Sequence, residues 1–487
     1  MNSSTLLTLA AAAILCGAPA SAQSVQSSKI VIGDGLASRG SSSAYTQPDQ
    51  GAFNAALAAI GGPSSSGTIE VMPGTYSFAS TVQITKPGVR ISGGPSAIVR
   101  LPAGFDGPLF QVRSTASDCI LDGLTLLFEG DAADDGGRSL IDVVGHGFTM
   151  TNCRVVVSSS STVPGIAPST AVRIAPISGS YFGGALEGNN FVVGRVDDPN
   201  GTPKLVHAPG WRLIESNEGR NLRIQGNDFR SGRLALDETP VLLRNAVFLI
   251  DDQWTSVLGN TFSHLETSGP GAGAATALVG SLESAPGKES NHMTFTGNQI
   301  SACRGPSNLC LEGAGFSSIT GNTFDRLGIH SQATVLLQGT GGVTVAGNTF
   351  TNIGAVVGPS LRISNGTLTS IQGNGFQVPD AAGTSQVGPQ VMLIGDGGAL
   401  LCGNHFADAL GTATQLSLSD AVECSVVGNR FQTSGCKPLQ LTSGTPREVF
   451  VCGNLFELPD AGCSSPPWTA SGYTVLQCDS NAGNPRF

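Results

Sequence analysis

Ten of the chain's Gly-Asn dipeptides form a regular series, with asparagines at Asn189, Asn227, Asn260, Asn298, Asn322, Asn348, Asn374, Asn404, Asn429 and Asn454. The intervals between them are 38, 33, 38, 24, 26, 26, 30, 25 and 25 residues. An apolar residue usually stands three before the Asn, and Phe stands two after it in nine of the ten, Ile300 being the exception. A recurring period of this size is the mark of a repeat architecture, in which each unit buries its apolar face only against its neighbours. That also explains how a chain of 487 residues, longer than a usual single domain, can fold around one continuous core.

Each period carries two strand signals. One is the apolar residue of the Gly-Asn motif with the Phe segment that follows it. The other is an alternating segment roughly 10–15 residues upstream, such as TVLLQ (334–338), SLRIS (360–364), QLSLS (415–419) and PLQLT (438–442). Three short strands per turn near 25 residues fit a parallel β-helix. A leucine-rich repeat has a similar period, but its Leu pattern is present in no register. Stacked coils bring equivalent residues to ~4.8 Å, so the asparagines should form a hydrogen-bonded ladder. Both Gly and Asn tolerate a left-handed turn. The phenylalanines should stack inside, since a repeated aromatic is usually core.

Ahead of the repeats, PDQGAFNAALAAIGG (48–62) spaces Phe53, Ala56, Leu57 and Ile60 as a helix does, with Pro48 in its first turn and Gly61-Gly62 at its stop. A helix over about 46–62 would close the end of the solenoid. Strand-like segments at 68–72, 76–80, 81–85 and 89–93 follow, punctuated by Pro-Gly turns. The expected division is a signal peptide (1–22), an N-terminal segment (23–67), β-helix repeats (68–456) and a C-terminal tail (457–487).

Leu6 to Gly17 is apolar but too short to span a bilayer, and Ala20-Ser21-Ala22 offers a cleavage site before Gln23. The mature protein is therefore expected to be secreted or periplasmic, with no membrane partner. Ten cysteines remain after cleavage, an even number compatible with disulfides in an exported protein. Cys303–Cys310 could close a local loop, and Cys463–Cys478 could pin the tail. A zinc site is not indicated, because no Cys-x2-Cys pair occurs. A net charge of −10 gives no electrostatic footprint for nucleic acid.

FNAALAAIGG followed by TIEVMPGTYSFASTVQI, and then the V/I-x-G-N-x-F series, resemble the right-handed parallel β-helix proteins of the pectin lyase-like superfamily, over about residues 45–456. The resemblance implies an all-β, right-handed, single-stranded parallel β-helix with a short N-terminal capping α-helix. The superfamily includes polysaccharide lyases, glycoside hydrolases, uronate epimerases, esterases and non-enzymatic surface proteins, so the fold alone names no reaction. In its enzymes the substrate lies on the outer face of the sheet that precedes the Asn turn.

The residues point to the same region. Asn spacings lengthen between Asn189 and Asn298, and insertions in a solenoid map to loops on one face. Charge is concentrated there as well. Aligning the upstream strands leaves Asp142, Arg173, Glu215, Asp251 and Glu312 as outward residues, with Glu215 and Asp251 as neighbours on successive coils. Two close carboxylates can act as acid and base, or share a cation, which would be calcium in a lyase; no cofactor motif is identified. Arg173 or Arg244 could neutralise a substrate uronate. Asp252 is a further candidate carboxylate, and His264 a reserve base with a pKa near neutrality. Trp254, and Trp211 at the matching place one coil earlier, could stack on sugar. Gly145-His146-Gly147 matches a polygalacturonase element, but its accompanying Asn-Thr-Asp and Arg-x-Lys are missing.

Two functions are therefore expected. One is an exported lyase or hydrolase acting on an acidic polysaccharide through Glu215, Asp251, Asp252 and His264, with Asp142, Arg173, Arg244, Trp211 and Trp254 binding the substrate. The other is a non-catalytic surface or envelope β-helix that binds glycan or packs structurally.

Overall fold

The computed structural model describes residues 28–33, 49–101, 107–130, 139–159, 169–176, 182–196, 204–205, 208–231, 241–267, 273–285, 290–325, 332–351, 358–378, 389–408, 414–433, 436–458, 463, 467–478 and 482–483. The expected signal segment lies outside them.

The chain winds through three rows of short strands. A typical coil runs Val335–Gln338 in the first row, Thr344–Ala346 in the second and Thr349–Thr351 in the third. Each strand pairs in parallel with its counterpart one coil on, for example Val335 with Leu361 and Phe350 with Phe376. The third row is a 15-stranded sheet. The first and second rows merge through the long strands Leu439–Cys452 and Trp468–Gln477 into one sheet of 29 strands. Among the described residues the antiparallel pairing is that of Arg195–Val196 with Lys204–Leu205. The expected parallel β-helix is borne out.

The Gly-Asn dipeptide is the turn from the second row to the third. All ten asparagines stand in one file, linked side chain to side chain from Asn189 to Asn454 at 2.9–3.0 Å. Each also completes backbone around it. Asn348 Oδ1 accepts from the backbone N–H of Asn322 at 2.9 Å, while its Nδ2 donates to the Ile319 carbonyl at 2.8 Å. The left-handed backbone expected of both residues belongs to the glycine alone: Gly226, Gly259, Gly297 and Gly347 have φ of 58–65°, and the asparagines do not. A Cβ at these glycines would meet open space, so it is conformation rather than room that selects them.

Inside the turn, Phe191, Phe229 and Phe262 stack at 4.8 and 4.7 Å, and Phe324 to Phe456 continue the file beyond Ile300. Each ring is buried, a contribution of about 2–3 kcal/mol per side chain.

Helix α1 (Gln50–Ala59) packs on the first coils through Phe53, which meets Tyr76, Phe78 and Phe110 edge-on. Its start is set by Asp49, whose side chain accepts from Gly51 N–H at 2.8 Å; Pro48, expected in the first turn, lies outside the described residues. The disulfides also differ from expectation. Cys436 joins Cys463 and Cys452 joins Cys478, whereas Cys303 and Cys310 are buried free thiols. Stacking explains the pairing, because it brings together residues about one coil apart, and the bridges span 27 and 26 residues.

The Asn file makes a direct prediction. Asn348→Ala leaves the Asn322 backbone N–H and one N–H of the Asn322 amide without partners in a buried place and removes a bond to the Ile319 carbonyl, while the other Asn322 amide bond, to the Phe295 carbonyl, remains. At about 1–3 kcal/mol for each orphaned group, urea unfolding should show a loss of at least about 2 kcal/mol. A loss under about 1 kcal/mol would mean the file is not a main support.

Candidate functional site

Chain length varies in both crossings that border the first row, from the third row back to it and from it to the second (five residues between Gln338 and Thr344, ten between Ile174 and Ala185, eleven between Leu282 and Thr294), while the Gly-Asn turn keeps two residues throughout. The outer face of the first row therefore lies beside every long crossing. On it, the strands Ser139–Val143, Ser169–Ile174, Ala208–Asn217 and Val241–Ile250 place Asp142, Arg173, Glu215 and Phe248 side by side in register.

These residues are tied into one network. Arg173 Nε donates to Asp142 Oδ1 at 2.9 Å, and Gln111 Nε2 donates to Asp142 Oδ2 at 3.2 Å. The hydrogen bond that Arg173 donates to Asp142 raises its pKa, fixing it as a cation. Arg212, buried at 8% exposure, binds Glu215 Oε2 through Nη1 at 2.6 Å and Asn245 Oδ1 through Nε at 3.1 Å. Its guanidinium also lies 4.0 Å over the Phe248 ring. Thr170 Oγ1 donates a longer bond to the same Glu215 oxygen, at 3.4 Å. Among the described residues both bonds to Glu215 fall on Oε2, which leaves Oε1 available.

Arg244, from the next coil, joins this group without an acid of its own. Its Nε is buried and has no hydrogen-bond partner. Burial lowers its pKa, the neighbouring Arg212 cation lowers it further, and Glu215 opposes both. Two arginines thus converge on one half-buried carboxylate.

An apolar patch begins at Phe248. The short helix Gly273–Thr276 folds over the outer face so that Ala274 and Ala277 cover Phe248, Cys310 and Leu336. Asn245 holds it there by donating to the Ala277 carbonyl at 2.6 Å. Beyond the patch a cavity of about 420 Å³ is lined by Glu312, Gln338, Arg362 and Ser364. Arg362 stands five strand steps from Glu215 in the same file, roughly 24 Å away.

Several expected site residues stand elsewhere. Glu215 faces Phe248, not Asp251, because Asp251 falls beyond the end of its strand, in the turn to the second row. There it is 8% exposed and accepts from both the backbone N–H and the hydroxyl of Ser284. Asp252 is fully buried, accepting from Ser216 Oγ at 3.0 Å, Gly219 N–H at 2.7 Å and Thr255 Oγ1 at 3.3 Å. It supports the turn and does not reach the face. Trp211 is fully buried against Phe128, inside the coil rather than matching Trp254. His264 stands at the break between Thr261–Ser263 and Leu265–Thr267, off the file that carries Glu215.

Trp254 is exposed, in the turn that links the first row to the second. Arg212, Asn245 and Phe248 are the additions that sequence reasoning missed. Arg212 lies three residues before Glu215, a spacing that a kinked strand can bring to one side and a flat one cannot.

Among the described residues no three His, Cys, Asp or Glu side chains gather as a metal site. The carboxylates expected to share calcium do not gather for it: Glu215 is held by Arg212, Asp251 by Ser284, and Asp252 by Ser216, Gly219 and Thr255.

No protein-family model matches the chain, and no curated protein matches it. Solved structures do resemble it. A DFA-IIIase from Arthrobacter chlorophenolicus in complex with GF2 is 14% identical, with 82% of this chain and 95% of that chain covered and a TM-score of 0.45. The A-module of a mannuronan C-5 epimerase from Azotobacter vinelandii is 14% identical over 88% and 94%, with a TM-score of 0.34. A PL6 alginate lyase in complex with a trisaccharide is 12% identical over 87% and 85%, with a TM-score of 0.41. Similarity at this level is a likeness in how the chain winds and does not define a reaction.

Asp252 carries the clearest titration signature. Burial raises its pKa to about 7, the hydrogen bonds oppose that rise, and Asp251 adds to it. An unfolded Asp ionises near 3.9, so the folded state holds a proton that the unfolded state has lost between about pH 4 and 7. The resulting penalty is absent below about pH 4, grows through that window and is complete above about pH 7. Asp252→Asn should therefore be more stable than the parent at about pH 8, by on the order of 2–4 kcal/mol, with the advantage fading toward about pH 4. A difference that does not vary with pH would show that Asp252 is ionised in the fold.

Proposed function

We propose that this protein is an exported carbohydrate-active β-helix protein that acts on a uronate-containing polysaccharide lying along the outer face of the first row. The observation that carries this reading is Arg244: a half-buried cation with an unpartnered Nε, set beside Arg212 and lacking a carboxylate of its own. A sugar carboxylate is the ligand such a site favours, because it answers a planar donor with two acceptors. The roughly 24 Å between Glu215 and Arg362 suits an extended polymer better than a small molecule. The two disulfides accord with export.

Elimination is the reaction the arrangement supports best. With the uronate charge neutralised by Arg244 and Arg212, the C5 proton becomes more acidic. Glu215 Oε1 takes that proton, its electron pair forms the C4–C5 double bond, and the C4–O4 bond breaks. The proton on Glu215 then passes to the departing O4, so the carboxylate is restored. Hydrolysis would require a second carboxyl group beside Glu215. Among the described residues the nearest in the file, Asp142, is buried and bound to Arg173. Asp251, Asp252 and His264 have no part in this scheme.

The test is turnover of polygalacturonate and alginate by the full chain, followed by ultraviolet absorbance of the unsaturated product. Glu215→Gln should lower kcat by at least about 10²-fold. Arg244→Gln should lower kcat/KM by roughly tenfold to a hundredfold, chiefly through KM. Binding of both polymers with no turnover by the parent would favour the non-catalytic glycan binder. Full activity in Glu215→Gln would remove Glu215 from the reaction.

A further inference from the structure

The turn from the first row to the second has a file of its own. Arg220, Gln253, Asn291, Gly315, Gly341, Thr367, Gly397 and Val422 pair from coil to coil by single bridges. The residues that follow them are therefore also in file: Asn221, Trp254, His292, Phe316, Gly342, Leu368, Gly398 and Glu423. All eight have left-handed backbone, with φ between 48° and 72°. Two coils use glycine there, as the conformation asks. Four others place Trp254, His292, Phe316 and Leu368 in it, although bulky side chains are strained in that region.

The backbone is repaid at this corner, since each of the four donates its N–H to a carbonyl of the next coil, but glycine makes the same bond at Gly342 and Gly398, so the bulky side chains are not needed for it. Phe316 is 67% exposed, Leu368 71% and Trp254 46%. Trp254 lies parallel to His292 at 5.8 Å and 5°, and His292 to Phe316 at 5.5 Å and 18°. The result is a three-ring stack on the outside of the solenoid. It ends at Gly342, where a Cβ would come within 3.0 Å of Phe316 Cδ1, so the ring leans over that glycine. Leu368 leans in the same direction over Gly398, with 3.2 Å to the corresponding Cβ position. Phe316 and Leu368 are two coils apart, roughly 10 Å at the backbone, and the coil between them contributes no side chain. The stack therefore has a notch one ring layer thick, with an aromatic face on one side and a branched aliphatic side chain on the other.

We infer that this ladder is a sugar-stacking subsite in which one pyranose ring occupies the notch over Gly342, between Phe316 and Leu368. A pyranose offers a face of C–H groups whose partial positive charge suits the negative face of an aromatic ring. The adjoining file supplies a hydrogen-bonding group at Thr367, in the Leu368 layer that borders the notch. The ladder is also continuous with the first-row face: Trp254 stands four residues past Ile250, the end of the strand that carries Arg244. The inference rests on the reading that the protein handles a polysaccharide, and it adds a subsite that requires no charge on the sugar. Bulky, exposed side chains held in left-handed backbone where glycine makes the same backbone bond are an indicator of function.

The test uses glycine, the residue that already serves at Gly342 and Gly398. Phe316→Gly with Leu368→Gly removes the walls of the notch and relieves the left-handed strain. Binding is measured by calorimetry with hexasaccharides of polygalacturonate, alginate and cellulose, in the Glu215→Gln background so that none is cleaved. Thermal midpoint and sedimentation are recorded alongside. The expected result is at least about tenfold weaker binding, with a midpoint equal to or above that of the parent. Unchanged affinity overturns the subsite and leaves the Arg244 site standing. Weakened binding in a protein whose parent shows no turnover upholds the subsite and sinks only the catalytic reading. A markedly lower midpoint makes the ladder a structural brace. A change in sedimentation makes it a contact between copies of the chain. Failure of the parent to bind any of the three glycans also overturns it.

Discussion

The Asn file is the interaction on which the rest depends. A coil of three short strands leaves the backbone at its corners without sheet partners, and a buried N–H without a partner is costly. One side chain type solves this at one corner: its oxygen takes the N–H and amide of the preceding coil, while its nitrogen reaches a carbonyl there. The preceding glycine adopts the conformation that places it. Because this corner is the same in the ten coils from Asn189 to Asn454, the strands that follow it stack without offset. The first-row strands are then free to differ in length and outward chemistry.

That freedom explains where function is concentrated. The two-residue corner admits no insertion, so variation in length is directed into the two crossings on either side of the first row. The first-row face is bordered by these crossings and shaped by them. It holds paired charges at the coils of Asp142, Arg173 and Glu215, an apolar lid over Phe248, and a second cation at Arg362. A regular scaffold presents a graded outer surface without altering its interior.

The sequence was most legible where it repeats. The file of asparagines, the Phe stack and its interruption at Ile300 could be read from spacing alone. So could the outward setting of Asp142, Arg173 and Glu215, because alternation in a strand has period two. Reading failed where a strand ends, since alternation says nothing about that. Asp251 and Asp252 continue the pattern of VFLI on paper, but the strand stops at Ile250 and the turn carries one to Ser284 and the other inward. Trp211 and Trp254 looked equivalent for the same reason, although one begins a strand and the other sits in a turn. Arg212 was passed over because its contact with Glu215 requires a bend that residue types do not signal. The cysteine partners followed coil spacing, not proximity along the chain.

The hydrogen bonds of the Asn file also run in one direction. Each asparagine oxygen accepts from the coil before it, so the Asn N–H and amide of a coil are satisfied only when its successor has docked. A chain emerging from its N-terminus therefore carries one unfinished corner at its growing tip, which moves forward with synthesis. Assembly of this kind resembles a zipper with a single slider. The disulfides Cys436–Cys463 and Cys452–Cys478, placed at the last coils to form, act as its stop.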